Sequence, residues 1–94
     1  MRNAAPSSFE LLQNYPNPFN PTTAISFQLS AVSNVTLKVY DVLGREVATL
    51  LKNETMDDGE HEIQFDAANL SSGLYFYKLS TETFTATKKM VLMK

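Results

Sequence analysis

The sequence predicts an all-β protein, an antiparallel β-sandwich of about seven short strands. Three observations carry that reading. Residues recur with period two through 23–29, 35–39 and 61–65, apolar against more polar, and through 75–79 with Tyr75, Tyr77 and Leu79 on one face and Phe76 and Lys78 on the other, the pattern of strands. Turn-forming residues interrupt these runs at roughly eight- to twelve-residue intervals. No segment shows the 3.6-residue period of an amphipathic helix.

A chain of 94 residues is read as one domain. At this size roughly two-thirds of the unfolded surface is buried on folding, enough for a single core. Apolar residues make up 44% and aromatics 11%, all Phe or Tyr, a composition that suits a packed β core. The absence of Cys excludes a disulfide framework and a thiolate metal site. A net charge of −2 gives no electrostatic reason to expect nucleic acid or an anionic membrane as partner. No stretch approaches the ~20 apolar residues of a membrane-spanning helix, so no transmembrane segment is expected.

Residues 1–8 are small and polar and read as a disordered linker or an added lead. Met1 to Ala5 is followed by no apolar stretch, so the export signal of any secreted parent is expected upstream. The folded domain is placed at residues 9–94. Phe9, Leu11 and Leu12 suit a short edge strand. Pro16, Pro18 and Pro21 then exclude a helix or a central strand, because proline has no N–H to donate. Residues 14–21 should therefore be an extended, turn-rich crossing, with Tyr15 and Phe19 as anchors over one end of the core.

Residues 23–29 form the first long strand, Ile25, Phe27 and Leu29 inward. Residues 30–34 are expected to be a loop. Val35, Leu37 and Val39 lead into a hairpin that turns at Asp41-Val42-Leu43-Gly44, where Asp caps the turn and Gly accepts positive φ, with a bulge at Gly44. On its return strand Val47, Thr49 and Leu51 should share one face and Ala48 and Leu50 the other. Residues 53–59 read as a polar connection ending at Gly59. His61, Ile63 and Phe65 define a further strand, residues 66–72 a corner with Leu70 plugging the core, and Gly73 opens a strand with Tyr75, Tyr77 and Leu79 on one face. Residues 83–93 close the fold, with Met90 and Leu92 gripping the core while Val91 and Met93 face outward. The expected core comprises Ile25, Phe27, Leu37, Val39, Ile63, Phe65 and Tyr75.

Little in this chain suggests chemistry. His61 is the single histidine, so neither a His-based metal cluster nor a Ser-His-Asp arrangement can be assembled. Glu54, Asp57, Asp58 and Glu60 lack the alternate-position spacing of a Ca²⁺ loop and read as a solvated turn. Gly44, Gly59 and Gly73 each sit at a turn and form no phosphate-binding pattern. No catalytic, cofactor-binding or metal residue is assigned, and no cofactor is expected. The charge is nonetheless uneven, because residues 54–66 hold no Lys or Arg while Lys88, Lys89 and Lys94 crowd the end of the chain. Lysines there either guard an edge strand or form a docking signal.

The order and spacing of several motifs resemble the type IX secretion system C-terminal sorting domain, type A. The resemblance runs through Asn14-Tyr15-Pro16-Asn17-Pro18-Phe19-Asn20-Pro21, Val39-Tyr40-Asp41-Val42-Leu43-Gly44-Arg45, Gly59-x-His61 and Leu70-Ser71-Ser72-Gly73-Leu74-Tyr75-Phe76-Tyr77. It ends on Lys88-Lys89-Met90-Val91-Leu92-Met93-Lys94. It departs from the family at Leu29-Ser30, Asp58-Gly59 and Ser80-Thr81-Glu82-Thr83, all turns.

The resemblance implies a seven-stranded immunoglobulin-like sandwich without catalytic activity, appended to an upstream cargo domain. It further implies passage through the periplasm, recognition by outer-membrane translocon or shuttle components, and removal by a sortase-like peptidase at the cell surface. Residues 88–94 are the expected recognition element. Two other readings compete: a carbohydrate- or surface-binding module stacking sugars on Tyr15, Tyr75 or Tyr77, and an immunoglobulin-like assembly domain of the flagellar hook-cap type.

Overall fold

A computed structural model describes residues 8–94. Apart from Ser8, which is exposed, the linker expected at residues 1–8 lies outside the described residues. Seven strands run through them: β1 (Glu10–Leu11), β2 (Thr22–Leu29), β3 (Ser33–Tyr40), β4 (Glu46–Met56), β5 (Gly59–Asp66), β6 (Gly73–Ser80) and β7 (Thr85–Leu92). They form two antiparallel sheets, β1-β2-β5 and β4-β3-β6-β7, the three-plus-four split of an immunoglobulin-like sandwich.

The alternation in sequence becomes the core directly. Ile25, Phe27, Leu29 and Phe65 of the smaller sheet are buried in one cluster with Val35, Leu37, Val39, Tyr75, Tyr77, Leu79, Met90 and Leu92 of the larger. Each such side chain contributes about 1.5–3 kcal/mol when fully withdrawn from water. Ile63, expected in this core, is only half-buried and packs at its margin. It lies on β5, an edge strand with a neighbour on one side alone, which leaves one flank open to water. Leu70 likewise packs against the core without being enclosed.

The β3–β4 hairpin closes as its residues dictate. The Gly44 N–H donates to the Asp41 carbonyl and the Asp41 N–H to the Arg45 carbonyl, both at 3.0 Å. This is a type I turn followed by a bulge residue in the left-handed region, with Gly44 at φ +80°. Asp41 Oδ1 accepts the Leu43 and Arg45 amides at 2.9 and 3.0 Å, and Oδ2 accepts Arg45 Nε at 2.8 Å. These donors, led by the Arg45 amide, hold the Asp41 carboxyl below the ordinary 3.8.

β4 departs from the expected pattern. Val35 faces Glu54 while Tyr40 faces Glu46, so eight steps along β4 match five along β3 through three register shifts. Asn53, at φ +50°, lies in this irregular stretch. The bulges break the period of two, so Leu51 is buried while Val47 is half-buried and Thr49 exposed. The strand also continues to Met56, leaving Asp57 and Asp58 as the whole connection to β5 where a seven-residue loop was expected. The expected loop at residues 30–34 is shorter too, since β3 begins at Ser33, and β7 is trimmed to Thr85–Leu92.

Candidate functional site

The proline-rich crossing carries the chain from the first sheet to the edge of the second. It starts beside Leu12, whose N–H donates to the Ser26 carbonyl at 2.9 Å. Tyr15 exchanges both backbone bonds with Ala24, at 2.9 and 3.0 Å, and is thereby held to β2. Its side chain points outward, 81% exposed, which corrects the expectation that it anchors the core. Phe19 does anchor, at 2% exposure, with its ring 6.2 Å from that of Phe65. The peptide bonds before Pro16, Pro18 and Pro21 are cis.

A buried polar knot fixes the start of this crossing. Asn14 Nδ2 donates to Thr23 Oγ1 at 3.0 Å and to the Pro16 carbonyl at 3.1 Å. Thr23 Oγ1 donates to the same carbonyl at 2.8 Å. The Tyr77 hydroxyl accepts the Asn14 N–H at 2.8 Å and donates to the Leu12 carbonyl at 2.7 Å. Burial pushes the Tyr77 phenol up to about 12, because ionising it there would strand a charge away from water. Sequence patterning missed Asn14 and Thr23, because hydropathy does not distinguish a polar residue satisfied internally from one facing solvent.

The far end of the crossing clasps β7. Phe19 bridges Leu92 in parallel, donating to the Val91 carbonyl and accepting from the Met93 N–H, each at 2.9 Å. Asn17 Oδ1 accepts the Val91 N–H at 2.9 Å, and Gln13 Nε2 donates to the Lys89 carbonyl at 2.7 Å. The outer edge of β7 is thus closed by side chain and backbone from the Lys89 carbonyl to Met93. Along the strand, Met90 and Leu92 are fully buried, Lys88 and Val91 half-buried and Lys89 exposed, and just past it Met93 and Lys94 are exposed. The last residue is tied down as well, its N–H to Ser72 Oγ at 2.9 Å and its Nζ to the Ala68 carbonyl at 2.7 Å.

Beside this strand lies a groove of about 500 Å³, lined by Gln13, Asn17, Leu74, Thr87, Lys88, Lys89 and Val91. The three turn glycines lie elsewhere: Gly44 in the β3–β4 turn, Gly59 opening β5 and Gly73 opening β6. Pro16 accepts hydrogen bonds within the polar knot, and the Pro21 carbonyl accepts the Ala67 N–H at 2.8 Å. His61 Nε2 donates to the Asp57 carbonyl at 2.8 Å and its ring stacks on Phe27 at 5.5 Å. The sugar-stacking reading loses two of its three platforms, because Tyr75 and Tyr77 are both buried, their hydroxyls bonded to the Ser71 and Leu12 carbonyls.

The chain is thus an immunoglobulin-like sandwich whose C-terminal stretch is gripped through its backbone while Lys89, Met93 and Lys94 lie exposed. The model of the secretion system C-terminal sorting domain family matches residues 13–93, and the chain belongs to that family, which carries the type IX sorting signal. No curated protein matches it.

Proposed function

We propose that residues 9–94 form a non-catalytic sorting domain, joined by the lead at residues 1–8 to an upstream cargo domain, and that residues 88–94 are what the export machinery reads. The domain directs its parent through the periplasm to outer-membrane translocon or shuttle components. A sortase-like peptidase then removes it, leaving the cargo at the cell surface or in the medium. One observation carries this reading. Family membership assigns a sorting role, and the terminal strand divides its residues between holding and showing. Met90 and Leu92 lock into the core while Lys89, Met93 and Lys94 stay accessible. A receptor serving many cargoes suits such a surface, since methionine adapts to varied partners and lysine supplies charge without shape.

The test is a fusion of an export signal, a fluorescent protein and residues 9–94, expressed in a bacterium with a working type IX system. Fluorescence should reach the surface or medium, and should stay inside a strain lacking the translocon. Equal release from both strains would remove the proposal.

A further inference from the structure

The clasp closes only half of the β7 edge. In the β6–β7 ladder, Gly73, Tyr75, Tyr77 and Leu79 face Leu92, Met90, Lys88 and Ala86, and the outward bonds of Val91 show that the odd-numbered residues of β7 turn their backbone away from β6. Thr85 and Thr87 therefore turn N–H and C=O away from β6, and Lys89 its N–H, with no hydrogen-bond partner among the described residues, although β1 packs beside β7 and Phe9 stacks on Phe84 where the stretch begins. We infer that this open stretch, Thr85 to Lys89, accepts an extended acidic peptide of a partner protein as an added β-strand.

The occupant follows from charge. Lys78 lies directly across from Thr87, and Lys88 and Lys89 follow it along the strand. None of the three forms an ion pair among the described residues, whose salt bridges are Lys38–Glu46 and Arg45–Asp41. A strand with a carboxylate at every second position places its charges on the outer face beside Lys78 and Lys89, whereas Lys88 shares the parity of the buried Met90 and Leu92; main-chain bonds set the register. Leu74 and Val91 supply an apolar seat in the adjoining groove, and Gln13 and Asn17 stop the added strand where the protein's own chain takes over. The other long edges do not suit this ligand. β4 is broken by three register shifts, and β5 carries Glu60 and Glu62, which repel a carboxylate-bearing strand. The opposing reading is that the lysines merely guard the edge, in which case it binds nothing.

The experiment titrates the isotope-labelled chain with a synthetic peptide in which Glu alternates with Val, following backbone amides by NMR. Saturable shifts should centre on Thr85, Thr87 and Lys89, with slowed exchange at the Thr87 and Lys89 amides and weaker binding as salt rises. Thr87→Pro removes an N–H that β6 does not use, so the fold is retained while affinity falls ~10-fold or more. Lys78→Glu combined with Lys89→Glu should abolish binding, and a peptide with Lys in place of Glu should not bind. The inference is overturned by absence of a saturable shift, by shifts centred on β4 or β5, or by wild-type affinity in Thr87→Pro. Concentration-dependent self-association through β5 without peptide binding would also overturn it, naming a second copy as the occupant. None of these outcomes depends on the export role, which the fusion assay tests separately.

Discussion

Phe19 is bonded to the last strand through both sides of its peptide: its N–H donates to the Val91 carbonyl and its carbonyl accepts from the Met93 N–H, each at 2.9 Å. Its ring meanwhile sits 6.2 Å from Phe65 inside the core. One residue thus joins the proline-rich crossing, the core and the terminal strand. Phe19→Ala should cost about 3–5 kcal/mol through the cavity it leaves, measured by urea unfolding. Asn17→Ala, which removes only the acceptor of the Val91 N–H, should cost about 1 kcal/mol and speed exchange at that amide. An unchanged Phe19→Ala midpoint would mean that the Phe19 ring does not anchor the crossing in the core.

Tyr77 should make stability fall at high pH. Its folded pKa is raised to about 12 from 10.0, so its stabilising effect is fully present below pH 10 and is lost as pH rises through 12. Tyr77→Phe strands the Leu12 carbonyl and the Asn14 N–H and should cost about 1–3 kcal/mol at neutral pH. Its stability relative to wild type should improve between pH 10 and 12. Parallel melting curves for both proteins across that range would contradict the polar knot.

At the hairpin tip the cost of substitution is conformational. A Cβ at Gly44 would meet nothing within 4 Å, yet φ is +80°. Gly44→Val should therefore destabilise by more than ~1 kcal/mol, and Gly44→Asn by less, since Asn tolerates the left-handed region. Equal midpoints for the two variants in thermal unfolding would show that the turn relaxes to another shape.

The same tip should add a small acid sensitivity. The Arg45 and Leu43 amides and the Arg45 side chain hold the Asp41 pKa below 3.8. Its contribution is therefore present above 3.8 and disappears as pH falls through the lowered value. Asp41→Asn should be less stable than wild type near neutrality, and the gap should close in acid.

How far the sequence could be read depended on whether a residue's fate was periodic. Ile25, Phe27, Leu37 and Val39 alternate with more polar neighbours and are buried, and Tyr75 and Tyr77 keep one parity beside Leu74 and Phe76 and are buried as well. Tyr15 and Phe19 share a segment without period, and their opposite fates follow from which strand each pairs with, Tyr15 with Ala24 of β2 and Phe19 with Leu92 of β7. Those partners lie 9 and 73 residues away, so no local pattern could separate them. The β4 bulges were hidden for a related reason, since an extra residue in one strand is defined only against its partner. At the terminal strand, the inward set of Met90 and Leu92 was legible by parity. The clasp by Gln13, Asn17 and Phe19 was not, because it is made of side-chain and single-residue backbone bonds.

The most direct measurement concerns residues 88–94. Deleting the end of the chain is a poor test, because Met90 and Leu92 are fully buried and their loss would unfold the domain. Met93 is 58% exposed and Lys89 and Lys94 are exposed, so these can be changed from outside. The decisive comparison is export of a fluorescent cargo fused to the wild-type domain or to Lys89→Glu/Met93→Asp, with thermal unfolding of each purified domain alongside. The variant should melt close to wild type while its cargo accumulates in the periplasm. A variant that folds and is exported at the wild-type rate would show that the terminal strand is structural and that the signal lies elsewhere.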